Sequence, residues 1–231
     1  MPSRIEVRRW VGEFLVIVLG VLAALGVDDF RDARSERQLT EYLLEGVRAD
    51  LLQDTAFYHA GLRAAERAAS AADRLLGHLE DPLWVTPPGV NGSEVRLGDA
   101  LRLVANLPVL TPANATYQEM IATGSIRTLP TGALRRGIVQ YYTVLVPTIQ
   151  NREARRIVPT VQAYQDGLRT AGLRLTDSQQ LDSMVVDRLR GNEFVFAHIR
   201  GLAAIATVPA RDYRTLLAAA EALLDGIDTV R

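Results

Sequence analysis

The chain of 231 residues has no cysteine and no lysine, so all 26 of its basic residues are arginine. Without cysteine there are no disulfides, no thiolate metal sites and no thiol nucleophile. Without lysine, a GK[ST] phosphate loop, Schiff-base chemistry, Ser-Lys dyads and a kinase-type nucleotide site are excluded together. Histidine is scarce as well. The residues three before His59, His78 and His198 are Ala56, Leu75 and Val195, so the Glu-x-x-His pairs of a carboxylate-bridged di-iron bundle are absent. There is no HExxH, GxSxG or GxGxxG. What remains open to an enzyme is a catalytic group assembled in three dimensions from distant residues. The expectation is a non-enzymatic protein with no cofactor. A net charge of −1 gives no electrostatic case for nucleic acid, because counterion release needs a clustered excess of basic groups.

Long charge-free runs are also rare, and the one that exists stands out. Residues 14–27, from Phe14 to Val27, are apolar throughout, after a basic lead and before Asp28 and Asp29. As a helix this run spans about 21 Å, short of the roughly 30 Å of hydrocarbon in a bilayer. Starting at Trp10 lengthens it: Trp10 suits the headgroup level, and Glu13 sits close enough to the end to reach the interface. The reading is a short cytoplasmic tail at 1–9, a transmembrane helix at 10–27 and an α-helical extracytoplasmic domain at 28–231. A cleavable signal peptide is the rival, since the basic lead, short apolar run, Ala24 and Gly26 fit that pattern too. Arginines tie in number on the two sides of the span. Arg8 and Arg9 abut it on one side and Asp28 and Asp29 on the other, which places the domain away from the cytoplasm. No second span is expected: 138–149 is interrupted by Gln140 and Pro147, and 194–208 contains His198 and Arg200.

Beyond the span the pattern is helical. Leu39, Leu43, Val47 and Leu51 recur every four residues, and Tyr58, Leu62, Ala65, Ala69, Ala72, Leu76 and Leu79 follow at 4-3 spacing. The alanines permit a close helix neighbour, either an intrachain core or a dimer seam, and the apolar faces of later helices favour the core. Asp81-Pro82 ends this helix, and the stretch to Gly98, with Trp84 packing it down, reads as loop. A short helix is expected over 99–107. Thr116-x-x-Glu119 is a capping box opening a helix at 117–123 that stops at Gly124. A helix after Thr131 buries Leu134, Ile138, Tyr141, Tyr142 and Leu145, with Pro147 and Pro159 expected to kink or interrupt it. Arg152, Arg155 and Arg156 form a basic cluster, a candidate anion or headgroup site whose commoner counterpart is a solvated face paired with Glu153. A second capping box, Thr176-x-x-Gln179, opens a helix that stops at Gly191. Helices follow at 193–207 and 210–230, broken near Pro209. Nothing alternates with period two over a useful length, so the expected fold is all-α, one membrane helix continuing into a long helix of an extramembrane bundle.

Several of these features occur together in a recognisable order. Gly12-Glu13, a span ending in Asp28-Asp29-Phe30, Tyr42-Leu43, Asp50-Leu51, the run from Thr116 through Gln118-Glu119-Met120 to Gly124, Leu134-Arg135 and Tyr141-Tyr142 together resemble a bacterial family of single-pass membrane proteins known only as a domain of unknown function. The resemblance implies architecture and no chemistry. Two functions of different class follow: a protein-interaction or scaffold module of the cell envelope, whose partner is a membrane or envelope protein or a second copy, or a small-ligand-binding sensory bundle acting through a partner. A polar pocket between helices would favour the second, a broad exposed apolar face the first.

Overall fold

The structure is a computed structural model and describes residues 4–80, 97–173, 189–205 and 207–230. All regular elements among these residues are helical, and no strand occurs. Helix α1 (Arg4–Glu80) is followed by α2 (Leu97–Ala105), α3 (Ala115–Thr123), a 3-10 turn (Ser125–Thr128), α4 (Gly132–Gln140), α5 (Val146–Arg152), α6 (Val158–Thr170), α7 (Glu193–Ile205) and α8 (Thr207–Val230). Residues 81–96, expected as loop, with Trp84, and the expected Thr176 capping box lie outside the described residues.

Helix α1 runs 77 residues without a break. No proline falls between Arg4 and Glu80, so every turn can complete its backbone ladder. The side chains of residues 4–30, including Trp10, Glu13, Phe14 and Val27, are outside the described set. The backbone there is helical, and the structure carries no evidence of a bilayer around it. Further along, Arg34 to Leu39 are exposed, and the core begins at Leu43. Leu43, Val47 and Leu51 are buried as their spacing predicts; Leu39, one step earlier, is exposed. Lower down, Tyr58, Ala65, Ala72 and Leu79 are buried, joined by Ala68, Ala71 and Leu75. The expected Leu62, Ala69 and Leu76 are only half-buried, so below Tyr58 the buried stripe is displaced from the sequence pattern toward Ala68, Ala71 and Leu75. The alanines thus serve an intrachain core.

Two cores share α1 as their spine. The first joins Leu43 to Ala65 with α3, α4 and α8 through Met120, Ile138, Tyr141, Tyr213 and Leu216. The second joins Ala71 to Leu79 with α2, α6 and α7 through Leu101, Tyr164, Leu168 and Ile199. Helix α8 lies antiparallel to α1: Arg48 pairs with Asp228 at 3.1 Å, and farther down Glu66 pairs with Arg214 at 2.6 Å. These pairs are solvated and worth at most about 1 kcal/mol each, so the register is set by the apolar seam between them. By length and composition the stretch Glu193–Val230 is long and apolar enough to cross a membrane, with mean hydropathy 1.2. Packing among the described residues buries only 29% of the apolar window, and the rest of the stretch is amphipathic. Leu216, Ala220, Leu223 and Ile227 are buried in the first core, while Arg211, Arg214, Glu221, Asp225 and Asp228 are exposed.

Pro147 and Pro159 do not interrupt their helix. The backbone stays helical from 132 to 170, and a π turn precedes each proline, Tyr141–Leu145 and Glu153–Ile157. In each turn a donor reaches back five residues, Val146 N–H to Tyr141 O and Val158 N–H to Glu153 O. That wider step lets the helix absorb a residue that has no N–H of its own to offer. The two turns share a local repeat, Leu145-Val-Pro-Thr-Ile-Gln150 and Ile157-Val-Pro-Thr-Val-Gln162. Pro209 likewise does not break α8 but sits in its first turn, where backbone donors have no intrahelical partner in any case.

Tyr213 lies over α1 so closely that a Cβ on Gly61 would come within 2.5 Å of its ring. Alanine in a helix interior normally gains about 1 kcal/mol over glycine. Here the ring, which also packs on Tyr58 with centroids 6.2 Å apart, would have to move. Gly61→Ala is therefore expected to lower stability by about 1–3 kcal/mol. Chemical denaturation midpoints measure this, and a raised midpoint would contradict the close approach.

Candidate functional site

The most unusual feature of the first core is an extended strap, residues 106–114, that crosses the bundle between α2 and α3. Pro108 and Pro112 favour extended backbone for themselves and for the residues before them. An extended segment satisfies none of its own polar groups, so the bundle supplies partners. Tyr213 donates its hydroxyl to Pro108 O at 3.0 Å. Leu110 is held on both sides: its N–H donates to Glu153 Oε2 and its O accepts from Gln150 Nε2, each at 3.1 Å. Ala113 N–H donates to Asp54 Oδ1 at 2.7 Å, and Thr116 N–H to Asp50 Oδ2 at 3.0 Å.

The last of these contacts replaces the expected capping box. Helix α3 starts at Ala115, and its N-cap residue Asn114 makes no side-chain cap bond. The cap comes instead from Asp50 on α1, a carboxylate well placed against the positive end of the helix dipole. Gly46, one turn earlier, makes room: a Cβ there would meet the Thr116 side chain at 2.7 Å. The stop at Gly124 forms as expected, with φ of 70°.

Asp54 anchors a buried chain of hydroxyls. Tyr141, set inward by the first π turn, donates to Asp54 Oδ2 at 2.8 Å, and Tyr58 lies 2.7 Å from Tyr141. Because the single hydrogen of Tyr141 goes to Asp54, Tyr58 is the donor to Tyr141. Tyr142 stacks on Tyr117 with centroids 4.8 Å apart, and its hydroxyl is buried without a hydrogen-bond partner among the described residues. Burial pushes the hydroxyls of Tyr58, Tyr141 and Tyr142 well above the usual phenol range, so all three stay protonated. Burial also raises Asp54, with neighbouring Asp50 adding to it, against the opposing pull of the Ala113 amide and the Tyr141 hydroxyl.

The sequence-predicted site residues are brought together only in part. Arg152 turns inward and pairs with the buried carboxylate of Asp212, while Arg155 and Arg156 remain exposed on the second π turn. Glu153 pairs with neither of them; it serves the Leu110 amide. The three arginines thus do not act as one cluster. His59 is exposed, and His198 is half-buried edge-on to Phe194. No group of three or more potential metal ligands occurs among the described residues. Asp54 and Glu153 were not anticipated as site residues. Asp54 did carry a signal: it falls on the apolar stripe at the step between Leu51 and Tyr58, where a charge needs partners.

Chemically, this arrangement fastens a strap. Compared with known proteins, the chain matches no family model, no curated protein and no solved structure. The likeness to a single-pass membrane family is left as an expectation.

Two outcomes follow. Asp54→Ala strands the Ala113 N–H and the Tyr141 hydroxyl and should cost about 3 kcal/mol in denaturation, with Asp54→Asn costing less because one acceptor survives. A carboxyl raised by folding contributes stability below the ordinary value of 3.8, and loses it as pH climbs through the folded value. Unfolding free energy should therefore fall with rising pH just above 3.8, and the slope should shrink in Asp54→Asn. An identical slope in both proteins would remove Asp54 as its source.

Proposed function

We propose that the protein is a membrane-tethered interaction module, a helical scaffold of the bacterial cell envelope without catalytic activity. In this reading residues 10–27 cross the bilayer, 1–9 lie in the cytoplasm and 28–231 form the extracytoplasmic body. One observation carries it: the apolar run and the spine of both cores belong to a single unbroken helix. Anchor and body are then mechanically one rod. Val27 precedes the first core residue, Leu43, by about 24 Å of helix, along which Arg31 and Arg34 to Leu39 are solvent-exposed. Such a stalk supports a body held off the membrane surface and open to partners.

The pocket geometry favours interaction over metabolite sensing. The recess between the strap and α8 has room for only about one water-sized group, ≈ 20 Å³, against the several hundred Å³ of a typical site that encloses a whole metabolite. The larger recesses, such as the one between Glu36, Thr40 and Pro130, are open grooves.

Alkaline carbonate washing should leave the full chain in the membrane pellet and release a version lacking residues 1–27. A reporter active only outside the cytoplasm, fused after Arg231, should give signal. Release of the full chain with its first residues removed would overturn the anchor, and signal from only a cytoplasm-active reporter would reverse the orientation.

A further inference from the structure

Where the strap, the second π turn and the first turns of α8 meet, the molecule has a small recess of ≈ 330 Å³ including its open mouth. Its walls are apolar, formed by Leu107, Ile149, Ile157 and Pro209, and three polar side chains face it: Glu153, Asp212 and Tyr213. What these three offer is acceptors. Tyr213 has committed its only hydrogen to Pro108 O. Asp212 is balanced by Arg152, with Arg211 also acting on it. Glu153 differs. Its Oε2 takes the Leu110 amide, and its remaining oxygen has no hydrogen-bond partner among the described residues. The influences on it are burial, that amide and the neighbouring Asp212 carboxylate, and no cation is among them.

A half-buried carboxylate without a counter-ion, in an apolar recess that provides no hydrogen-bond donor to spare, is complementary to one kind of group: a cation rich in donors, lacking acceptors and carried on an apolar stem. The recess has room for about one water-sized group, ≈ 20 Å³, which admits a compact ammonium head more readily than a guanidinium plane and leaves an alkyl stem to lie in the open mouth. We propose that this recess binds a primary alkylammonium group, its head on Glu153 and its methylene stem along the apolar walls. The chain has no lysine, so the group comes from outside it, either as a lysine side chain on a partner protein or as a free amine. The proposal stands on the recess and holds whether or not the protein is membrane-tethered; the lysine source would also name what a scaffold partner contributes.

The test titrates the purified full chain in detergent with n-butylammonium chloride, with n-butanol and with sodium chloride at matched ionic strength, following the thermal midpoint. A saturable rise with butylammonium alone is expected. Glu153→Gln, which keeps an acceptor for the Leu110 amide, should weaken the apparent affinity about tenfold or more, in line with loss of a charge partner in a partly desolvated site. Leu107→Trp, which fills the mouth, should abolish the response and decides the matter if the first variant fails to fold. Equal shifts with butanol, or an undiminished response in Leu107→Trp, would overturn the proposal. A Gly-Lys-Gly peptide and its Nε-acetylated form separate the sources: response to the unmodified peptide alone supports a partner's lysine, and response to butylammonium without the peptide supports a free amine. Because the assay needs no membrane, its result is independent of the anchor.

Discussion

The first core depends on a carboxylate placed where an apolar side chain would otherwise sit. Asp54 occupies the buried stripe of α1 and accepts from the strap at Ala113 and from Tyr141 at the first π turn. A buried charge is tolerable only with such partners, so its presence forces three segments into register at once: α1, the strap and the π turn. One turn earlier, Asp50 does the same for α3 by capping it from another helix. Two aspartates four residues apart on a single helix thereby fix the path of residues 106–116, which no secondary structure of their own could hold.

The π turns are the other half of this arrangement. A π turn is a costly departure from the α-helix and persists where surroundings make use of it. The first sets both Tyr141 and Tyr142 into the core; the second sends Arg152 to Asp212 and Glu153 to the strap. Each is followed by proline in the same local sequence, so the helix widens where its ladder is already short of a donor. The second π turn holds the strap directly through Glu153, the first only through Asp54, and Gln150 and Tyr213 add bonds at Leu110 and Pro108.

This has a consequence for what the molecule can do. Among the described residues, most polar groups of the first core hold backbone or one another; the Tyr142 hydroxyl is buried without a partner, and Glu153 keeps one oxygen uncommitted. Glu153 serves the strap with one oxygen and faces an apolar recess with the other, which is why that recess, and not the arginines exposed beside it, is the point of chemical interest.

The amino-acid sequence alone determined the helical class, the long spine, the burial of Leu43, Val47 and Leu51, the stop at Gly124 and the absence of thiol and lysine chemistry. All of these follow from local periodicity, from the conformational limits of single residues, or from composition. It did not determine how donors and acceptors distant along the chain would be matched. Thr116 and Glu119 have capping-box spacing, yet Asp50, 66 residues away, takes the amide, because a carboxylate held rigidly on a packed helix needs less ordering than an exposed side chain folding back on itself. Pro147 and Pro159 read locally as breaks, yet the helix continues through both, widened by a π turn ahead of each. Local rules fix which elements form; where buried polar groups must find partners is decided by tertiary structure, since those partners lie far apart in sequence.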